Sequence, residues 1–398
     1  MLTVLPKKVK FFMAKKASWC YTCAEIIKSE MRSKINMRQV TIYREPGRYA
    51  GWPANYGIWA WDNEIVVGFT VGYHKSDAGF HRRDRDKPFV GMQGRSLDGG
   101  ETWHVSETPC RLPARGTLSA DEHVEERHRL EADASFKAPD HVDFSHPDFA
   151  MMCSRSGLRA GAYSWFYTST DRCKSWEGPF RLPMFGYTGI AARTDYLVSS
   201  SDECLVFLTA SKSNGEEGLI FCAHTTDGGA SFSLLSQIGP EPEGFAIMPA
   251  SVRLSDSEIL VAVRCRGHGN DSGSDWEERQ NWIDLYGSND NGQTWDYVNR
   301  AVENTGRGGN PPTLTLLHDG RLCLIYGYRD APHRICAKLS SDAGKTWGEE
   351  IVLRDNGGDH DIGYPRTVQR PDGTVITAYY FDEEPDGERF IEATLWKP

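Results

Sequence analysis

SNDNGQTW at 288–295 is one of five copies of a single short pattern, the others being SLDGGETW at 96–103, STDRCKSW at 169–176, TTDGGASF at 225–232 and SSDAGKTW at 340–347. All five fit S/T-x-D-x-G/C-x-S/T-W/F. An Asp side chain accepts backbone N–H bonds two residues on, Gly takes positive φ, and Ser or Thr hydroxyls add local bonds of the same kind. The pattern therefore describes a tight hairpin turn whose closing aromatic starts the next strand and buries its ring against a neighbouring unit. Apolar runs rich in β-branched and aromatic residues precede the boxes, among them CLVFLTAS at 204–211, EILVAVRC at 258–265 and RLCLIYGY at 321–328. They read as strands. The starts of the boxes are 73, 56, 63 and 52 residues apart, which suits repeated antiparallel units of about four strands with unequal loops.

Composition narrows the function classes. The 398 residues carry 45 Lys+Arg against 55 Asp+Glu, a formal charge of −10, which excludes a basic stripe able to displace counterions from nucleic acid. Apolar runs are only strand-sized, so a membrane-spanning helix is not expected. Most of the ten cysteines sit singly in apolar runs and read as buried thiols rather than disulfides.

Residues 1–36 differ from the rest, with eight Lys/Arg and the pair Cys20 and Cys23. No apolar h-region follows the basic residues, so a secretory signal is not expected, and a cytoplasmic location is favoured. The lone CxxC lacks a second pair for a zinc site. The division expected is a basic, poorly ordered extension over 1–36 and one repeat-built domain over 37–398.

The boxes resemble the Asp boxes of the sialidase (neuraminidase) superfamily. That resemblance implies an all-β fold over 38–398: a six-bladed β-propeller of four-stranded antiparallel blades. Five blades carry boxes, and a sixth, without one, comes from 362–398 closed by the strand Gln39–Tyr43. Closure in this way removes open sheet edges. The box aspartates would then lie on the outer rim as turn chemistry, away from the catalytic centre.

The same resemblance implies exo-acting hydrolysis of an acidic sugar terminus. The family clamps the sugar carboxylate with arginines, whose forks make bidentate charge-assisted bonds. It attacks with a Tyr, because a carboxylate nucleophile would be repelled by the substrate's own. An Asp on a loop is its general acid and base. Tyr364, in DIGYPR, matches the nucleophile, Arg264 and Arg329 match the second and third arginines, and Asp84, in HKSDAGFHRRDRDKP, matches the acid/base. Arg193 and Asp195 enter a strand as a further polar pair suited to substrate contact.

Two parts depart from the pattern. Gly51-Trp52-Pro53 replaces the family's Arg-Ile-Pro, leaving Arg44 and Arg48 to supply the first arginine. Met248 occupies the place of the Glu that activates Tyr, and a thioether cannot take a phenolic proton. Either Asp195 or Asp361 does that work, or the chemistry is different. A propeller lyase or other glycosidase, and a non-catalytic carbohydrate-binding propeller, remain alternatives. Asp359-His360-Asp361 reads as a polar loop rather than a metal site, and neither a metal nor another cofactor is expected.

Overall fold

A computed structural model of the chain describes residues 36–112, 137–267 and 279–398. The proposed extension, including Cys20 and Cys23, lies outside the described residues apart from Asn36.

The chain forms six antiparallel sheets that follow one another as the blades of a β-propeller, with almost no helix. Blade 1 runs from Arg48–Gly51 through Glu64–Tyr73 and Val90–Ser96 to His104–Glu107. Blades 4 and 5 have the simple four-strand meander that the spacing predicts, at Phe245–Arg253 to Asp296–Val302 and Thr313–Leu316 to Ile351–Gly357. Blade 2 differs: among the described residues it holds three strands, Ala150–Arg155, Ser164–Ser169 and Glu177–Arg181.

Ring closure follows the expected route. Met37–Tyr43 pairs antiparallel with Phe390–Trp396, from Met37 opposite Trp396 to Tyr43 opposite Ile391. The first strand thus becomes the outer strand of blade 6, and the ends of the propeller are sealed by hydrogen bonds.

Each box joins the third strand of its blade to the fourth, or, in blade 2, the second described strand to the third. In blade 4, Asp290 Oδ1 accepts from the Thr294 amide at 2.9 Å and from Ser288 Oγ at 2.8 Å, while Thr294 Oγ1 donates to Oδ2 at 2.5 Å. The same bonds recur around Asp98, Asp171, Asp227 and Asp342. Trp295 then packs beside Phe207 of blade 3, ring centroids 6.1 Å apart, so the box aromatic joins neighbouring blades. Eight cysteines in the described region are free, and all but Cys110 are buried in these interblade layers.

The innermost strands are interrupted at one level, and this positions the site. Trp52, Met248 and Tyr364 have φ of 60°, 54° and 50°, and each precedes a proline. Proline has no N–H to donate, so the ladder breaks there. The pairing register shifts between Ile247 and Ala250 in blade 4 and between Gly363 and Arg366 in blade 6. In blade 3 the break falls between Ile190–Ala191 and Tyr196–Val198, both of which pair with Cys204–Ser211. Bulges of this kind turn side chains out of the ordinary in-and-out alternation, and left-handed backbone at a bulky residue persists only where its surroundings hold it.

Candidate functional site: an arginine-lined pocket around Tyr364

A cavity of about 720 Å³ lies over these interruptions. Its wall includes Trp52, His81, Arg83 and Arg85 from blade 1, the turn 155–162 with Arg155 and Arg159, Arg193 from blade 3 and Tyr364 from blade 6. Among the described residues that line it, five are arginines and none is Asp or Glu. A concave site so charged suits an anion.

Tyr364 is half-buried, and its Oη meets Arg264 Nη1 at 3.0 Å. The Arg264 and Arg329 guanidinium carbons stand 5.9 Å and 5.5 Å from the centre of its ring. Burial pushes the phenol's pKa up, but the charges of Arg264, Arg329 and Arg193 outweigh it, so the net shift is downward. Fully buried Tyr49, Tyr379 and Tyr380 shift the other way, chiefly by desolvation. Arg264 also approaches Met248 Sδ at 3.8 Å, so that thioether sits against a cation.

Arg329 is 1% exposed and all three of its nitrogens bond within the protein: Nε to Ile362 O at 3.0 Å, Nη1 to Gly309 O at 3.0 Å and Nη2 to Tyr380 Oη. It stands behind Tyr364 as a fixed charge. Arg193 lines the pocket and forms an ion pair with Glu217.

The other sequence candidates lie elsewhere. Asp84 does not line the pocket; its side chain stands 3.7 Å from Lys87 Nζ and accepts the Asp86 amide at 3.1 Å. Arg48 covers the Tyr73 ring at 4.1 Å, and Arg44 pairs with Glu383 at 2.8 Å, so neither is on the pocket wall. Asp195, two residues from Arg193, belongs to a separate cavity of about 280 Å³ that it shares with Trp59, Ser251 and Arg366. There it accepts the Ser251 amide at 3.0 Å, and burial raises its pKa to about 6 against the pull of Arg366.

Asp361 is fully buried and accepts from Tyr49 Oη at 2.9 Å and Tyr380 Oη at 2.6 Å, and its Oδ1 meets His81 Nδ1 at 2.8 Å. Burial alone would raise its pKa; His81, Arg389 and Arg329 hold it well below the usual carboxylate range. Among the described residues, no group of three or more His, Cys, Asp or Glu side chains is placed to hold a metal ion. No helix among them is long and apolar enough to cross a membrane.

Sequence reasoning missed Trp52, His81, Arg83, Arg85 and Arg155 as pocket residues. Arg155 closes the strand Ala150–Arg155 much as Arg264 lies near the end of Ile259–Arg266, and an arginine after an apolar run was the signal that could have found it. The loop HRRDRD was read for its aspartates, whereas His81, Arg83 and Arg85 line the cavity and Arg82 pairs with Asp386 at 2.5 Å.

The profile of the BNR repeat-like domain matches residues 156–376, more than half of the chain. The chain belongs to that family. A Dyadobacter fermentans protein of unknown function superposes with TM-score 0.64 at 20% identity, over 91% of this chain and 99% of the other. The Trypanosoma rangeli sialidase in complex with sialic acid gives TM-score 0.54 at 11% identity, over 90% of this chain but 59% of the sialidase. A Penicillium chrysogenum alpha-L-arabinanase complexed with arabinobiose gives 0.57 at 12%, over 91% and 98%. At these identities the likeness establishes a sialidase-like propeller fold. No curated protein matches.

Proposed function

We propose that this BNR-repeat propeller cleaves the glycosidic bond of a terminal acidic sugar, with Tyr364 as nucleophile. The observation that carries the reading is a tyrosine whose hydroxyl meets a guanidinium at 3.0 Å on the wall of a pocket whose described lining holds five arginines and no carboxylate. Three arginine charges favour the phenolate against the effect of burial, which eases loss of the phenolic proton. The sugar carboxylate docks against Arg193 and the arginines at 83, 85 and 155, whose forks match its geometry. The sialidase and arabinanase likenesses support a glycosidase-like propeller.

The test is a release screen over sialosides, uronides and neutral glycosides, followed by Tyr364→Phe on whichever substrate turns over. Acidic sugars should be the ones cleaved, and the variant should bind without cleaving. Turnover retained by Tyr364→Phe, or activity confined to neutral sugars, refutes the reading.

A second reading, elimination at a uronic acid by a propeller lyase, is favoured by the lack of Asp and Glu among the described wall residues. Its products carry a carbon–carbon double bond, visible by ultraviolet absorbance in the same screen. A carbohydrate-binding propeller without catalysis would bind acidic sugars in that screen and release nothing.

A further inference from the structure

We infer that His81, oriented by the buried Asp361, is the proton-transfer residue of this site; the inference rests on the hydrolytic reading with Tyr364. A glycosidic leaving oxygen needs a proton, and among the described residues the wall offers no carboxyl group to supply one. His81 is on that wall. Its Nδ1 lies 2.8 Å from Asp361 Oδ1. With Asp361 ionised, Nδ1 is the donor, which leaves Nε2 as the nitrogen that exchanges protons with a bound sugar.

The ring is held on several sides. Trp52 meets it edge-on at 5.3 Å between centroids, and Phe80 does so at 5.0 Å. Asp361 is itself anchored by Tyr49 and Tyr380, and Arg389 Nε stands 3.7 Å from its other oxygen. A group positioned by such neighbours loses little entropy on reaching the transition state.

In the first step the phenolate oxygen of Tyr364 bonds to the anomeric carbon as the bond to the leaving oxygen breaks. That oxygen takes the proton from His81 Nε2, and His81 becomes neutral. In the second step His81 Nε2 takes a proton from water as the water oxygen bonds to the anomeric carbon and Tyr364 departs as phenolate. Asp361 remains ionised throughout and stabilises the imidazolium whenever it forms.

The groups that set the imidazole's charge are Asp361 from blade 6, Arg83 on its own loop and Arg329 from blade 5. Burial and the two arginines lower its pKa below 6.5, against the pull of Asp361. The reactive form, phenolate with imidazolium, carries the same number of protons as neutral Tyr364 with neutral His81. The kcat/KM profile is therefore bell-shaped, with an acid limb below His81's ordinary value and an alkaline limb below that of a free tyrosine.

The experiment compares His81→Gln and Asp84→Asn on sialyl-lactose and on an umbelliferyl sialoside, whose leaving group departs without a proton. His81→Gln should lower kcat/KM on sialyl-lactose by about 10²-fold or more and on the umbelliferyl substrate by under about tenfold. Asp84→Asn should change neither substrate by more than about twofold, and melting temperatures establish that both variants fold. The inference is overturned if Asp84→Asn shows the leaving-group-dependent loss, or if His81→Gln lowers both substrates equally. A wild type inactive on every sialoside and uronide of the release screen, or a Tyr364→Phe variant that still turns over, defeats the hydrolytic reading itself, which the two substitutions at 81 and 84 alone cannot do.

Discussion

Arg264 donates to the Tyr364 hydroxyl at 3.0 Å, joining blade 4 to blade 6 across the central face. The contact pairs a cation with the phenol. Its sign dictates how the tyrosine titrates.

Tyr364 should be the lowest-titrating of the buried tyrosines. Its pKa moves down under three arginine charges that outweigh burial, whereas Tyr326 and Tyr380 move up through desolvation. Alkaline titration followed by phenolate absorbance should show an early step that Tyr364→Phe removes and Arg264→Met shifts to higher pH. An early step that survives Tyr364→Phe would belong to another residue.

Tyr364→Phe should lower kcat by about 10³-fold or more while changing affinity for the acidic sugar by under about tenfold. The ring packs against Tyr380 at 5.9 Å in either case, so the fold is retained. Calorimetric binding beside a turnover assay separates the two effects.

Arg193→Met should weaken binding of an acidic sugar by about 10–100-fold, the loss expected for one charge-assisted contact. Arg44→Met, whose side chain pairs with Glu383 away from the pocket, should bind as wild type does. Raising the salt concentration should narrow the difference between them.

Asp171→Ala should cost about 0.5–1.5 kcal/mol, the net worth of the turn bonds it removes from the exposed Lys174 and Ser175 amides, which the carboxylate accepts at 2.9 Å. Turnover measured well below the melting temperature should be unchanged. Burial raises this carboxyl's pKa, but bonds from Ser175, Ser169 and Lys174 prevail and hold it at about 2. A depressed carboxyl pKa gives stability that is fully present above the unfolded value near 3.8 and is lost as pH falls towards 2. The gap in stability between variant and wild type should therefore shrink across that window in denaturant titrations.

The propeller was legible in the sequence because its repeated element is local. A box completes its hydrogen bonds within about eight residues, from Ser288 to Trp295 for instance, so residue types alone specify the turn and its strands. Closure by Gln39–Tyr43 was also readable, because a box-less remainder of one blade leaves an edge that only the first strand can cover. Tyr364, Arg264 and Arg193 stood out as polar residues ending or entering apolar strands. What only the tertiary structure decided was direction and company. Arg193 and Asp195 are two apart, yet a break in the inner strand sends them into different cavities. Asp84 and Arg83 are adjacent, yet the arginine faces the pocket while the aspartate turns to Lys87. His81 meets Asp361 across 280 residues, a pairing that depends on how blade 1's loop lies over blade 6. Such orientations arise from bulges and long-range packing, where no local periodicity assigns a side chain to one face.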